Sequence, residues 1–264
     1  GAGPAGMEAA VTLKQRGFDV VVFDKRDEIG GNLHVAKKPP FKGKFEWAID
    51  YYKSMAKKLN ITMKLGKEVT AQEVLALKPY SILVATGSNV ISIPLEGLDQ
   101  VQTVQAHDVL ANDMQFANKK VVVIGGGITG LETALYINRQ GTNQVSVVDM
   151  LPEWPVDMLD MRYQNEALLE VRHCNDQGVA LFYNNKVVKF ADGKLFIEST
   201  KDGEVKELPA DVIVLSVGVK PNDALWQELL ASGHPSVWKA GDAIATGKIN
   251  KAVLHGSKFG YSLN

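Results

Sequence analysis

Two glycine-rich fingerprints of one type lie about half a chain apart in this sequence of 264 residues. The first is Gly1-Ala-Gly3-Pro-Ala-Gly6 and the second is Gly125-Gly-Gly127-Ile-Thr-Gly130. Each has the form G-x-G-x-x-G, and each is followed roughly 20 residues later by an apolar run that ends in an acid, Asp24 or Asp149. This spacing is typical of a dinucleotide-binding turn. Two copies predict a pair of bound nucleotides, held so that a chemical group or electrons can be transferred from one to the other.

Each glycine of the fingerprint has its own physical role. The first allows a tight turn from strand to helix, the second lets the backbone approach a pyrophosphate, and the third lets the helix pack closely on the strand. The phosphates then bind to free N–H groups at a helix N-terminus, where the helix dipole favours negative charge. Asp24 and Asp149 are each expected to accept hydrogen bonds from an adenosine ribose.

The second copy has the full expected context, and the first lacks one part of it. Lys119–Ile124 has the pattern of a buried strand before the second fingerprint, and Leu131–Ile137 that of the helix after it. No hydrophobic strand precedes Gly1. The sequence therefore predicts an α/β protein with two Rossmann-like domains, the first of which lacks its first strand.

Composition limits the classes of partner. Apolar residues make up 45% and charged residues 22% of the chain, as in a soluble globular protein of about two domains. A net charge of −1 predicts neither nucleic acid nor an anionic membrane as a partner. No apolar run approaches the roughly 18 residues of a membrane span. The single cysteine, Cys174, forms no internal disulfide, which favours a cytoplasmic location.

Periodicity predicts the remaining elements. A helix is expected over Phe45–Leu59, with Trp47, Tyr51, Met55 and Leu59 on the face that packs on the sheet. Asn89–Asn118 is expected to be a crossover to the second domain. Further elements are a helix over Asp160–Gln177, a buried strand over Asp211–Leu215, and a C-terminal helix near Lys248–Leu263.

Five motifs occur in an order that resembles a known class of flavoprotein. They are the two fingerprints, Ile29-Gly-Gly-Asn-Leu33, Ile82-Leu-Val-Ala-Thr-Gly-Ser88 and Ala240-Gly-Asp-Ala243. The order is that of flavoproteins with two dinucleotide-binding domains. More narrowly, the segment Gly1–Ser88 resembles the C-terminal half of the NADH:flavin oxidoreductases, which include 2,4-dienoyl-CoA reductase and 2-enoate reductase. The run Gly30–Pro39, followed by a helix that carries two adjacent tyrosines, supports this narrower resemblance.

The resemblance implies a division of labour. FAD is expected on a discontinuous domain of residues 1–105 and 235–264, and NAD(P)H on a domain of residues 106–234. The chain would be an electron-input module that passes hydride from NADH to FAD. In this family a preceding barrel domain carries FMN, an iron–sulfur cluster and the substrate site, and that barrel is the partner expected here. Assembly into an oligomer is compatible with the sequence.

Contacts to the two cofactors follow from the fingerprints and from the resemblance. Residues expected to contact FAD are Gly1, Gly3, Pro4, Ala5, Gly6, Asp24, Lys25, Gly31, Asn32, Leu33, Ala85, Thr86, Gly87, Gly241, Asp242 and Ala252. Residues expected to contact NAD(P)H are Gly125, Gly127, Ile128, Thr129, Gly130, Asp149, Met150 and Gly218. By resemblance Asp242 binds the ribityl chain of the flavin. No catalytic side chain and no metal ligand is expected, because the protein serves to align two cofactors.

The sequence also favours NADH over NADPH. Asp149 would bond a 2′-hydroxyl and repel a 2′-phosphate, and no arginine occurs in Met150–Glu153 to accommodate that phosphate. Arg139 and Arg162 are the nearest arginines along the chain that could do so.

Two other functions remain open at this stage. In the related trimethylamine dehydrogenase the same domain pair holds ADP in place of the flavin, which makes a non-catalytic nucleotide-binding module an alternative. A small electron-input subunit like that of glutamate synthase is the other. A disulfide reductase of the glutathione or thioredoxin type would need a cysteine pair, and the chain has one cysteine.

Overall fold

The computed structural model describes residues 1–152 and 161–264, the last range with backbone alone at 161–164. The chain divides into two compact units. Unit 1 comprises residues 1–37, 42–89 and 219–264, and unit 2 comprises residues 38–41 and 90–218. The sequence places the division at 105/106 and 234/235, further along the chain. At the first boundary the difference arises because residues 102–105 form a strand of the unit 2 sheet. At the second it arises because Leu229 is buried with Ile82 and Val84 of unit 1.

The structure resolves helices and strands throughout both units. The helices are α1 Pro4–Gln15, α2 Leu33–Ala36, α3 Phe45–Lys58, α4 Ala71–Ala76, α5 Ala106–Ala111, α6 Ile128–Asn138, α7 Met161–Asp176, α8 Ala224–Ala231 and α9 Ile249–Ser262. The strands are β1 Val21–Phe23, β2 Thr62–Lys64, β3 Ile82–Val84, β4 Ser88–Val90, β5 Gln102–Gln105, β6 Lys120–Ile124, β7 Gln144–Val148, β8 Ala180–Phe182, β9 Asn185–Ala191, β10 Lys194–Ser199, β11 Val205–Pro209, β12 Val212–Leu215, β13 Val219–Pro221 and β14 Val237–Lys239. Leu98–Gln100 and Gly241–Ala243 form 3₁₀ turns.

A five-stranded parallel sheet forms the centre of unit 2, in the order β5-β12-β6-β7-β8. Successive side chains of a strand point to opposite faces, so a strand covered on both faces is apolar throughout. In β6, Val121 and Val123 pack in a cluster with residues of α5, α6 and α7, whereas Val122 and Ile124 pack in a second cluster. This pattern explains why β6 is an unbroken apolar run.

The second face of that sheet is covered by an antiparallel sheet in the order β11-β10-β9. Phe190, Leu195 and Ile197 are buried there in the same cluster as Ile124 and Ile213. Unit 2 therefore has three layers, with helices, the parallel sheet and the antiparallel sheet in that order.

Unit 1 contains two parallel strand pairs, β1-β2 and β3-β14. Gly1 and Ala2 lie between the carboxyl ends of these pairs, because a Cβ built on Gly1 would lie 2.2 Å from the Ala85 carbonyl and Ala2 N–H donates to Asp24. A Rossmann sheet has its first strand at this place. The expected fold class, an α/β protein with Rossmann-like parallel sheets, is confirmed.

Helix α3 forms over nearly the expected range but buries a different face. Trp47 and Tyr51 are 68% and 48% exposed, and the buried residues are Ile49, Tyr52 and Ala56. The expectation that Trp47 and Tyr51 pack on the sheet is wrong, whereas Met55 and Leu59 of the same expected face do pack against the unit 1 core. Ile49, Tyr52 and Ala56 recur at i, i+3 and i+7, and the expected face recurs at i, i+4 and i+8. Both spacings are typical of an amphipathic helix, so periodicity does not distinguish between the two faces. Tyr52 gains a partner inside, because its hydroxyl donates to Glu8 Oε2 over 3.0 Å.

The C-terminal helix α9 packs on α1 through two glycines one turn apart. A Cβ on Gly256 would lie 2.2 Å from the Ala5 carbonyl oxygen, and one on Gly260 would lie 2.6 Å from the Thr12 side chain. Small residues at this spacing let two helix backbones approach closely. Through this contact the last helix of the chain holds the fingerprint helix of unit 1. No helix in the described residues is long and apolar enough to cross a membrane.

Replacing Gly256 by alanine should destabilise unit 1. Alanine has the higher helix propensity by about 1 kcal/mol, but the new methyl group overlaps a backbone oxygen and forces the helices apart, at about 1–3 kcal/mol or more. We expect a lower denaturation midpoint in urea for Gly256→Ala. Lys258→Ala, an exposed change on the same helix, serves as control and should stay within about 0.5 kcal/mol. Equal midpoints for the two variants would contradict the close-packing argument.

Candidate dinucleotide-binding sites

Both acids predicted from the sequence hold the turn of their own fingerprint. Asp24 Oδ2 accepts from Ala2 N–H at 2.6 Å, and Asp149 Oδ2 accepts from Gly126 N–H at 2.6 Å. The other carboxylate oxygens accept from Arg26 N–H and Leu151 N–H, each at 2.8 Å. Such charge-assisted bonds are about twice as strong as neutral ones. Each acid is thereby fixed beside the turn, with lone pairs left for a ribose hydroxyl.

The first and third glycines meet backbone in both turns. A Cβ on Gly1 or Gly125 would lie 2.2 or 2.3 Å from a carbonyl oxygen of the neighbouring strand end, that of Ala85 or Ser216. A Cβ on Gly6 or Gly130 would lie 1.8 or 1.9 Å from the carbonyl oxygen of the first glycine. No other residue fits at these positions. The two turns therefore have the same backbone construction.

The middle glycine of each turn faces open space. A Cβ on Gly127 would meet nothing within 4 Å, and one on Gly3 only the Gly31 Cα, at 3.9 Å. Gly3 and Gly127 are the N-caps of α1 and α6, and neither helix has a side-chain cap. The N–H groups of the first turn, those of Ala5 and Gly6 in unit 1 and of Ile128–Gly130 in unit 2, thus have no side-chain acceptor from the N-cap residue. Open space beside uncapped amides fits a bound pyrophosphate.

The loop that contains Gly31 lies against the first turn. Gly30 N–H donates to the Ala2 carbonyl at 2.9 Å, and a Cβ on Gly31, whose φ is +54°, would lie 2.7 Å from the Gly3 Cα. Asn32 is the N-cap of α2, and Leu33 is buried in the unit 1 core. The structure therefore brings this loop to the fingerprint, as a shared nucleotide site requires.

Other predicted residues of unit 1 lie at strand ends near the same turn. Lys25 follows Asp24, and its side chain is 61% exposed and lies 4.0 Å from Glu68. Ala85, Thr86 and Gly87 follow β3, where the Thr86 hydroxyl donates to the Asn222 carbonyl at 2.5 Å.

Gly241, Asp242 and Ala252 lie beside the fingerprint helix. A Cβ on Gly241, whose φ is +62°, would lie 3.0 Å from the Ala5 Cβ and 3.6 Å from the Ala252 Cβ. Asp242 accepts from Gly247 N–H at 3.1 Å and from the Ser88 hydroxyl at 3.3 Å. Partial burial raises the pKa of Asp242, against the opposing effect of these two hydrogen bonds. Burial deprives this carboxylate of part of its hydration. A hydroxyl group of a bound ligand could donate the hydrogen bond that water no longer supplies.

In unit 2, Met150 and Thr129 lie beside the acid and the turn as predicted, and Gly218 lies further along the chain, after β12. Met150 follows Asp149 and is 61% exposed. Thr129 lies in the first turn of α6, and its carbonyl accepts from the Thr133 hydroxyl at 2.7 Å. Gly218, with φ of +99°, follows β12 at the end of unit 2, where its carbonyl accepts from Ile91 N–H.

Several residues of the sites escaped the sequence reasoning. Ser88 holds Asp242, the Ser216 carbonyl contacts Gly125, and Tyr183 lies against Gly126, with Cε1 3.0 Å from a Cβ built there. Of these three residues, only Ser88 could have been predicted from the sequence, because it is the last residue of the motif Ile82–Ser88. Ser216 and Tyr183 follow strands in an unremarkable sequence, and their roles appear only when the strands are placed side by side.

The other polar residues considered from the sequence lie in ordinary surroundings. Cys174 is buried, and burial, with a smaller effect of Glu170, raises the pKa of its thiol to about 12. Arg139 caps the C-terminal end of α6, the end opposite Gly127, where it contacts Phe41 and Gln177. It is therefore not placed to bind a phosphate at Asp149. The Arg162 side chain, Glu153 and Asp160 lie outside the described residues.

Replacing Asp242 by asparagine should stabilise the flavin-free protein and weaken flavin retention. Since burial raises the pKa of Asp242, its ionisation opposes folding above that raised pKa, and the effect vanishes below about pH 3.9, where the acid is neutral in both states. We expect Asp242→Asn to raise the melting temperature of the flavin-free protein at pH 7, with a gain that fades toward pH 3.9, and to lose FAD faster on dialysis.

Asp223→Asn is the matched control for this prediction. Lys239 lowers the pKa of Asp223, so loss of this charge should lower the melting temperature at pH 7. A fall in the melting temperature for Asp242→Asn as well would contradict the assignment of a desolvated carboxylate.

Comparison with known proteins identifies the family to which the chain belongs. A family model described as pyridine nucleotide-disulphide oxidoreductase matches residues 1–254. An NADH oxidase of Thermoanaerobacter brockii is 31% identical over 271 residues, covering 100% of this chain and 40% of that protein. Bilirubin reductase of Mediterraneibacter gnavus is 35% identical over 222 residues, covering 84% of this chain and 33% of that protein.

A solved structure supports the same assignment. The chain of a 2-naphthoyl-CoA reductase complex aligns with a TM-score of 0.90 and 29% identity, covering 100% of this chain and 39% of that chain. The chain thus spans 40% or less of the length of these larger proteins. The resemblance inferred from the sequence is confirmed, and FAD and NAD(P)H are the cofactors of such domains. The chain belongs to the pyridine nucleotide-disulphide oxidoreductase family.

Proposed function

We propose that the chain is the electron-input module of a larger flavin-dependent oxidoreductase. In this role unit 1 binds FAD, unit 2 binds NADH, and electrons pass onward to a separate barrel domain with FMN and an iron–sulfur cluster. The single observation that carries the proposal is the repeated turn: both units hold an acid, three glycines and an uncapped helix N-terminus in the same arrangement. The length of the relatives supports a further domain.

The residues of this chain contribute binding and orientation. When both cofactors are bound, they supply the hydride transfer themselves. The backbone amides at Gly3 and Gly127 bind pyrophosphate, and Asp24 and Asp149 orient the adenosine riboses. Asp242, held beside the fingerprint helix of unit 1, would bind the ribityl chain of the flavin. The proposal requires no side chain as acid or base.

The environment of Asp149 supports a preference for NADH. Both of its oxygens accept from backbone N–H groups, which fixes the carboxylate where an adenosine ribose is expected. Next to it, Met150 and Leu151 are 61% and 50% exposed and carry no charge. A 2′-phosphate would meet a fixed negative charge and no cation on these neighbours.

A flavin-bleaching experiment tests the proposed function. The purified chain is reconstituted with FAD, freed of excess and mixed with NADH without oxygen. We expect retained flavin absorbance that bleaches in proportion to the NADH added. A colourless protein whose melting temperature rises with ADP would instead support the nucleotide-binding alternative and overturn the proposal. Flavin that is retained but never bleached by NADH would overturn it too.

Asp149→Asn should narrow the preference for NADH over NADPH. The amide keeps one oxygen as an acceptor for the backbone, but the negative charge that repels the 2′-phosphate is gone. We expect the ratio of kcat/KM values for the two coenzymes to fall about tenfold, which corresponds to about 1.4 kcal/mol. Asp24→Asn in unit 1 is the control. It should leave that ratio unchanged and weaken the binding of FAD. An unchanged ratio in Asp149→Asn would contradict the assigned role of the charge.

A further inference from the structure

The strand ends beside the two acids correspond residue by residue. Asp24 N–H donates to the Lys64 carbonyl at 3.2 Å, and Asp149 N–H donates to the Phe182 carbonyl at 3.0 Å. The residue after the accepting carbonyl is Leu65 in unit 1 and Tyr183 in unit 2. On this bond alone, Leu65 and Tyr183 are equivalent.

Two further pairs of bonds give the same correspondence. Gly66 N–H donates to the Arg26 carbonyl at 2.8 Å, as Asn184 N–H donates to the Leu151 carbonyl at 2.9 Å. Lys67 N–H donates to the Asp24 carbonyl, and Asn185 N–H to the Asp149 carbonyl, each at 2.9 Å. The register of these loops is therefore the same in both units, and Leu65 and Tyr183 hold one structural position.

At this position the two units differ in a correlated way. In unit 1 the residue after the first glycine is Ala2, which is fully buried in a cluster against which Leu65 packs. In unit 2 it is Gly126, and a Cβ built there would lie 3.0 Å from Tyr183 Cε1 and 3.2 Å from Asp149 Cβ. A larger side chain on the loop accompanies the loss of the methyl group in the turn.

We propose that Tyr183 is a positioning residue for the pyridine nucleotide in unit 2, acting through Gly126 and Asp149. The ring packs beside the Gly126 backbone, whose N–H holds Asp149 Oδ2 at 2.6 Å. The ring thereby limits the movement of the turn and keeps the carboxylate oriented toward the adenosine ribose. This inference rests on the proposed function only in naming NADH as the ligand.

The proposal predicts that residues 126 and 183 are coupled. Alanine at 126 needs the space that the ring occupies, whereas leucine at 183 leaves a gap beside glycine. Alanine at 126 with leucine at 183 reproduces the pair found in unit 1. A double-mutant cycle isolates this coupling, since contacting residues give effects that are not additive.

The experiment measures binding of ADP-ribose, which lacks nicotinamide, by titration calorimetry, together with NADH-dependent flavin reduction. We expect Kd for ADP-ribose to rise about tenfold in Gly126→Ala and about fivefold in Tyr183→Leu. A tenfold rise corresponds to a loss of about 1.4 kcal/mol of binding free energy. The double variant should return to within about threefold of the unmodified protein. KM for NADH should follow these changes, while the flavin reduction rate at saturating NADH stays constant.

Tyr136→Leu is the matched control, because Tyr136 lies near the far end of α6 in the same unit. It should leave Kd unchanged within about twofold. Melting temperatures separate positioning from folding: a purely structural role would change the melting temperature and the saturating rate together. Additive effects of the two substitutions on Kd, or a Kd in Tyr183→Leu equal to that of the control, would overturn the proposal.

The same measurements distinguish this inference from the proposed function. If ADP-ribose binds with the expected coupling but NADH does not bleach the flavin, the positioning role stands and the electron-input function is wrong. If NADH bleaches the flavin but the coupling is absent, the function stands and the role of Tyr183 is wrong. Absence of binding of both nucleotides to the unmodified protein would overturn both.

Discussion

The hydrogen bond from a backbone N–H in each glycine turn to the acid at the next strand end organises both units. Ala2 donates to Asp24 and Gly126 to Asp149, each over 2.6 Å. The bond joins the turn to the following strand, so the phosphate-binding amides and the ribose-binding carboxylate form one rigid element. Because the acceptor is charged and partly buried, loss of the bond would leave one carboxylate oxygen without its donor, which costs more than loss of a neutral hydrogen bond.

The close backbone approaches follow from this construction. A strand that turns at once into a helix brings the third glycine against the carbonyl of the first, and the first against the neighbouring strand end. In unit 1 the constraint extends further, because α9 packs through Gly256 on Ala5 of the fingerprint helix. The segment that carries Asp242 is thereby fixed near the start of the chain, although the two are far apart in sequence.

Much of this could be predicted from the sequence, and the limits have physical causes. The turns, the acids, the central strands β6 and β12 and the fold class follow from local spacing and from unbroken apolar runs. The buried face of α3 could not be chosen, because Trp47 and Ile49 belong to stripes of equal helical periodicity. Strand β5 lies within the expected crossover and could not be recognised, because three of the four residues in Gln102–Gln105 are polar at the sheet edge. Contacts such as Tyr183 with Gly126 depend on the register between strands, which no local pattern encodes.

The two units show how one backbone solution accommodates different surroundings. In their turns, a Cβ built on the first glycine would lie 2.2 or 2.3 Å from a carbonyl oxygen, and one built on the third would lie 1.8 or 1.9 Å from another, so the two backbones agree within 0.1 Å in these approaches. The side chains around them diverge: Lys25 and Arg26 follow the acid in unit 1, whereas Met150 and Leu151 follow it in unit 2. Phosphate and ribose are common to both cofactors and demand the same amides and the same acid. FAD and NADH differ in the parts that lie beyond the phosphate and the ribose. The side chains that flank the turn can therefore distinguish the two cofactors, while the turn itself stays the same.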